Sequence, residues 1–261
     1  MSIIVNTKAI KCMVYPTAPI TFTKLIQQSC TFDAINECTD PKLATLIYDP
    51  HAKQNYGSFK RTSFGRLTVD DSEPVLGHTP SIAIKQCWYK ANVLGNRVVY
   101  DNHTQIVKLT AEINCLRWAS ALMDLVYDFI ALFLMERDPP PFSIPEMRFV
   151  KSALVITDKS HDTFLLEEVI DDFSDGNFIK YIGNGSARPL DCLEGDEIDR
   201  AKFLSFCQHL QYVKTKTLAF VGDFQGKTRP LISNQNSTDF LSQKGGKMLL
   251  TDPQLITSPY D

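Results

Sequence analysis

No stretch of this chain stays apolar long enough to cross a bilayer. The most hydrophobic window, Ala119–Met135, is interrupted by Asp124 and Asp128, which predicts a buried helix rather than a membrane span. Basic residues are also short, with 27 Lys and Arg against 30 Asp and Glu and a net charge of −3. The concentrated positive stripe of a nucleic-acid-binding surface is therefore not expected. The seven cysteines, Cys12, Cys30, Cys38, Cys87, Cys115, Cys192 and Cys207, include no Cys-x-x-Cys pair. An odd, scattered set excludes a complete disulfide framework and fits reduced intracellular thiols. The opening MSIIVNTKAIKCMVYP lacks the apolar run of a secretory signal. Internal repeats and long low-complexity segments are absent as well. These absences together predict an intracellular, cytoplasmic chain with neither nucleic acid nor membrane as a partner.

What is present is enough for a real core. With 44% hydrophobic residues, 261 residues suffice for one large domain or two lobes. Residues 1–55 carry no usable motif and are expected to be a peripheral lead-in. Tyr56–Val69 (YGSFKRTSFGRLTV) predicts two short strands around a turn, and Ser81-Ile-Ala-Ile-Lys85 a buried strand ending in a lysine. Gln105–Glu136 predicts a long helix on which Glu112 shares a face with Leu116, Ala119, Met123 and Val126. A carboxylate on an apolar stripe needs a cation, and the candidates are Lys85 or Lys108, one turn earlier on the same helix. Asp138-Pro-Pro-Pro-Phe142 ends that helix, because Pro both lacks a donor and clashes with the preceding turn. Further on, Thr163–Ile170 predicts a strand carrying Glu167 and Glu168, which would be two solvated acids if the strand simply ended there.

The densest signal is Phe203–Gly226. Asp196, Glu197 and Asp199 suit the positive end of a helix dipole, and Phe203, Phe206, Cys207 and Leu210 recur at helical spacing. A buried strand over Leu218–Phe224 then delivers Asp223 and Gln225 beside Gly226. This presents a carboxylate at a strand exit, either the position of a catalytic or metal-binding group or simply a turn that ends the strand.

Three motifs in this order resemble the alpha-kinases, the atypical serine/threonine protein kinases that include elongation factor 2 kinase and the myosin heavy chain kinases. They are His209-Leu-Gln-Tyr212, Asp223-Phe-Gln225-Gly226 and Thr251-Asp252-Pro253-Gln254. Gly57-Ser-Phe-Lys60, Gly65-Arg-Leu67 and Ser81–Lys85 extend the likeness, which covers about Gly57–Ser258. The His-Arg-Asp and GxGxxG elements of conventional kinases are absent. The Lys180-Tyr181 element departs from the family pattern, with Ile182 where the first asparagine belongs and Asn184 where the second does.

The resemblance implies an α+β, two-lobed kinase-like fold with an antiparallel upper-lobe sheet and one long helix. It divides the chain into a lead-in over 1–55, an upper lobe over 56–190 and a partial lower lobe over 191–261. It also implies transfer of the γ-phosphoryl group of Mg-ATP to a Ser or Thr hydroxyl of a protein substrate whose identity the sequence does not give. Lys85 would hold the α/β-phosphates with Glu112 fixing its ammonium, Lys60 would reach the phosphates or be a solvated hairpin lysine, and Glu167 would face the adenine. Asp223 would orient the acceptor hydroxyl, while Gln225 and Asp252 would hold Mg²⁺. His209 matches one of four family zinc ligands; the other three would lie beyond Asp261, so zinc is not expected here and the lower lobe is expected to be incomplete. The alternative function is a catalytically weak nucleotide-binding or interaction module. Lys227–Lys247 is longer than the family spacing and is expected as a surface insertion.

Overall fold

The computed structural model of the chain describes residues 7–28, 32–69, 75–77, 79–92, 95–170, 178–228 and 248–257. Most of the expected insertion, residues 229–247, and most of the polar loop before Ser81 lie outside these residues. The first elements are β1 (Lys8–Pro16), α1 (Phe22–Gln27), β2 (Lys42–Tyr48), β3 (Asn55–Tyr56), β4 (Lys60–Val69), β5 (Ser81–Lys90), β6 (Arg97–Val99) and α2 (Asn102–Leu134). There follow β7 (Met147–Phe149), β8 (Ser152–Thr157), β9 (Thr163–Glu168), β10 (Ile179–Lys180), α3 (Asp196–Lys214), β11 (Ala219–Gly222), β12 (Gln225–Thr228), β13 (Met248–Thr251) and β14 (Gln254–Thr257). Two compact units result. The first is Met1–Ala18, Cys30–Asn114 and Val150–Val169; the second is Pro19–Ser29, Cys115–Phe149 and Ile170–Asp261.

The first unit is a closed ring of antiparallel pairings. β4 pairs with β2, β2 with β1, β1 with β8, β8 with β9, β9 with β5, and β5 again with β4. Strand side chains alternate between faces, and one set, including Val14, Leu46, Leu67, Ile84, Val155 and Leu166, forms a single buried cluster inside the ring. The other set faces outward, where Cys87, Leu154 and Leu165 pack against Leu109 and Ile113 of α2. Closure requires β4 to serve both ends of the sheet: Lys60–Arg66 pair with β5, and Gly65–Val69 with β2. The strand changes partners at Gly65, where a Cβ would lie 2.5 Å from the Ile47 carbonyl oxygen and 2.9 Å from Ile84 Cδ1. Only glycine fits that corner.

This topology corrects the expectation of a peripheral lead-in. β1 and β2 are two of the six ring strands, and Cys12, Val14, Ala44 and Leu46 belong to its core. They carry no chemical motif because their work is packing.

The expected long helix is α2. Asp101 caps its start, its carboxylate accepting from the Thr104 backbone N–H at 3.0 Å and from the Thr104 hydroxyl at 2.7 Å. These hydrogen bonds hold the Asp101 carboxyl below its usual range. After the three prolines, the Tyr127 hydroxyl ties down the returning chain, donating to Pro145 O and accepting from Met147 N–H, both at 2.8 Å. Among the described residues no helix is long and apolar enough to cross a membrane.

The second unit contains α3, the four-stranded sheet β10-β12-β13-β7 and the ribbon β11-β14. The sheet is mixed, because β13 runs parallel to β7. The α+β class expected from the sequence, with an antiparallel sheet and one long helix, is the architecture found.

Candidate active site

In the first unit, four charged side chains meet on the outward face that α2 covers. Strand register explains the set. Lys60 lies opposite Cys87 and Thr62 opposite Lys85, while Lys85 lies opposite Leu165 and Ala83 opposite Glu167. With a side-chain period of two, Lys60, Lys85 and Glu167 therefore share one face. Glu112 comes from α2, between Leu109 and Ile113, which pack on that face. The Lys85 ammonium donates to Glu167 Oε2 at 2.8 Å, with both side chains buried. The Lys60 ammonium donates to Glu112 Oε2 at 2.5 Å in a half-buried pair.

The partners differ from the expected ones. Glu112 takes Lys60 as its cation, and Glu167, expected to face an adenine, places its carboxylate on Lys85. The cause is geometric: Glu167 is the diagonal cross-strand neighbour of Lys85, within reach of a long side chain. Lys108, the other candidate for Glu112, instead sets its ammonium 4.7 Å from the Tyr100 ring centroid. Glu167 and Glu168 are 3% and 4% exposed, which rules out two solvated acids. The hairpin-lysine alternative for Lys60 fails for the same reason, because its side chain is 16% exposed and ion-paired.

In the second unit, Asp223 sits in the two-residue link between β11 and β12. β11 pairs with β14 from Ala219↔Thr257 to Gly222↔Gln254, and β12 pairs with β13 from Gln225↔Thr251 to Thr228↔Met248. The register is unbroken across the gap, so Asp223 falls opposite Pro253 and Phe224 opposite Asp252. Two aspartates 29 residues apart in sequence thus fall in the two facing links that join these strand pairs. Both have left-handed backbones, φ +52° at Asp223 and +48° at Asp252. Such conformations cost about 1–3 kcal/mol and persist only where the surroundings enforce them.

Those surroundings are visible. Phe224 is fully buried and stacks on Phe149 with centroids 6.2 Å apart, and its carbonyl accepts from the Tyr181 N–H at 2.8 Å. Gly226 lies so close to β13 that a Cβ there would be 2.0 Å from Leu249 O. On the helix side, Gln208 Nε2 donates to Val221 O at 2.8 Å, and Gln211 Oε1 accepts from Val221 N–H at 2.9 Å. Two helical amides thereby replace the strand partner that β11 lacks along this edge.

The Asp223 carboxylate, 14% exposed, accepts from Lys180 Nζ at 2.8 Å. With its amide nitrogen turned toward Asp223, Asn184 donates to the two carboxylate oxygens at 2.6 and 3.2 Å. Lys180 and Asn184 were visible only as parts of a motif; their task, gripping Asp223, follows from Lys180 pairing opposite Gln225. Ile182, which departs from the motif, is fully buried, so an apolar side chain suits it. Gln208 and Gln211 were missed altogether, although two amides on an apolar helical stripe were a readable signal.

Gln225 opens β12 two residues after Asp223, and Asp252 lies in the facing link; both are half-buried. An amide oxygen and a carboxylate are hard donors of the kind magnesium takes, with waters and phosphate oxygens completing the shell. His209 is exposed on α3. Among the described residues no three His, Cys, Asp or Glu side chains gather as a metal-holding group.

Comparison with known proteins gives two findings. The family model described as the alpha-kinase family matches residues 85–261. Among solved structures, a mutant of the myosin heavy chain kinase A catalytic domain is similar over 96% of this chain and 83% of that one, at 14% identity and a TM-score of 0.46. No curated protein sequence matches the chain.

Proposed function

The chain belongs to the alpha-kinase family, and from that premise we propose that it is an ATP-dependent protein kinase acting on Ser and Thr hydroxyls. The observation that carries the reading is Asp223, a carboxylate on a strained backbone, gripped by Lys180 and Asn184 and anchored by Phe224. A group held this firmly suits orientation of an acceptor hydroxyl and removal of its proton as the phosphoryl group arrives.

Phosphoryl transfer needs positioning and charge stabilisation more than covalent help. Lys85 and Lys60 supply two cations on one face, each held by a carboxylate, Glu167 and Glu112 respectively. In this reading they bind the nucleotide phosphates, and the carboxylates fix the ammonium groups before binding. Glu112 thus acts through Lys60, and Glu167 acts through Lys85. Gln225 and Asp252 would hold Mg²⁺, which supplies charge neutralisation at the phosphates when bound.

The test is phosphate transfer from γ-labelled ATP to a generic Ser/Thr-rich protein by the full chain, with phosphoamino-acid analysis of the product. Asp223→Asn is expected to abolish turnover while leaving nucleotide binding intact. Lys85→Ala is expected to weaken nucleotide binding at least tenfold. Label on tyrosine, or turnover that survives Asp223→Asn, would overturn the reading.

A further inference from the structure

The second unit has a large surface feature that phosphoryl transfer does not use. The C-terminal half of α2, the proline-rich connector after it and the start of α3 enclose an open groove of about 1180 Å³. Phe129, Phe133, Phe142, Phe203 and Phe206 line it. Three of these are substantially exposed: Phe133 at 46%, Phe142 at 66% and Phe206 at 42%. Exposed aromatic clusters of this kind mark binding surfaces.

The groove's rim is acidic. Asp138, Glu146, Asp196 and Asp199 line it beside two bases, Arg200 and Lys202, and the segments that build its walls, 124–146 and 191–202, hold ten acids against three bases. That is a formal −2 on the lining itself and −7 over the wall segments, in a chain whose net charge is −3, so the acidic excess lies on this side of the unit. The ion pairs within the rim, Asp196–Arg200 at 3.8 Å and Asp199–Lys202 at 3.1 Å, have solvent-exposed carboxylates and are therefore weak.

We propose that this groove docks an amphipathic helix with a basic face, supplied by another protein. Apolar anchors at i, i+3 or i+4 and i+7 would enter between the phenylalanines, while Lys and Arg on the flanks meet the acidic rim. The charge disfavours other occupants. A second copy of the chain docked groove to groove would bring the same acidic walls against these, and anionic ligands such as lipid headgroups or nucleotides would be repelled. A small molecule is a poor fit, because the groove is open and larger than the roughly 300–1000 Å³ of typical small-ligand pockets.

The experiment uses the full chain and two fluorescein-labelled 18-residue probes of identical helical pattern, one of Leu and Lys, the other of Leu and Glu. Anisotropy titration is expected to show the Lys probe binding at least tenfold more tightly than the Glu probe. The preference should fall as salt rises. Phe133→Ser with Phe206→Ser should weaken the Lys probe at least tenfold. Asp196→Lys with Asp199→Lys should weaken it while improving the Glu probe. Phe64→Ser, an equally exposed aromatic of the first unit (56%), should change nothing, and circular dichroism melts verify that each variant is folded. Equal binding of both probes, or binding indifferent to the phenylalanine pair, would overturn the proposal. So would concentration-dependent dimerisation by sedimentation that disappears in the phenylalanine variant, because the occupant would then be a second copy.

Discussion

Asp223 gains its position from neighbours that are each replaceable one at a time. Lys180 and Asn184 touch only its carboxylate, whereas Phe224 and Gly226 set the backbone beneath it. The two kinds of neighbour should fail differently. On the proposed kinase reading, Lys180→Met and Asn184→Leu are expected to lower kcat by about 10- to 100-fold with the KM for ATP nearly unchanged, because the orientation of Asp223 is lost but the chain stays folded. Steady-state kinetics beside a thermal melt separates these effects. Gly226→Ala should act on the fold instead. Its new methyl would meet the Leu249 carbonyl oxygen at 2.0 Å, and backbone, unlike a flexible side-chain tip, cannot step aside cheaply. A loss of about 3 kcal/mol or more is expected in urea denaturation, at or beyond the upper end of ordinary overpacking.

At the scale of elements, helices in both units complete strand ladders with side-chain amides. In the first, Gln105 of α2 accepts from the Cys87 N–H at 3.0 Å and donates to its carbonyl at 2.7 Å. In the second, Gln208 and Gln211 of α3 do the same for Val221, two residues before Asp223. A buried strand edge without partners would cost the full desolvation of its backbone groups. Gln211→Leu is therefore expected to destabilise the chain by about 1–3 kcal/mol, because the Val221 N–H is left buried and unbonded. The Asp223 link should loosen with it. Hydrogen exchange at Val221 is the direct readout, and unchanged protection there would show that the amide does not hold the strand.

On the scale of the whole chain, the first unit is a ring, and a ring depends on every strand. Removing residues 1–55 would delete β1 and β2 and open the edges of β4 and β8. It would also remove Cys12, Val14, Ala44 and Leu46 from the core. Unpaired edges flanked by exposed apolar residues associate readily. A chain beginning at Tyr56 is accordingly expected to aggregate, or to bind a hydrophobic dye with loss of its near-ultraviolet dichroism. A soluble, cooperatively melting product would show that the N-terminal strands are dispensable.

Local chemistry was legible in the sequence wherever a property repeats with the period of the backbone or is bound to a short motif. The long α2 followed from its apolar spacing and its triple-proline end, α3 from its acidic first turn, and the buried Lys85 strand from Ile82, Ala83 and Ile84. Asp223, Gln225 and Asp252 stand out in the sequence because their motifs are contiguous. The partners of the charges were not. Whether Lys85 meets Glu112 or Glu167 depends on which strand lies beside β5 and in what register, a choice made by contacts 82 residues apart in sequence. The membership of β1 and β2 in the ring was hidden for the same reason, because plain apolar alternation does not say which edge a strand will pair with. Facing Asp223 with Asp252 likewise needed the unbroken register of two ribbons. Periodicity and turn chemistry act over a few residues, and the sequence states them directly. Strand pairing, ring closure and the exchange of ion partners are settled by long-range packing, so only the tertiary structure decides them.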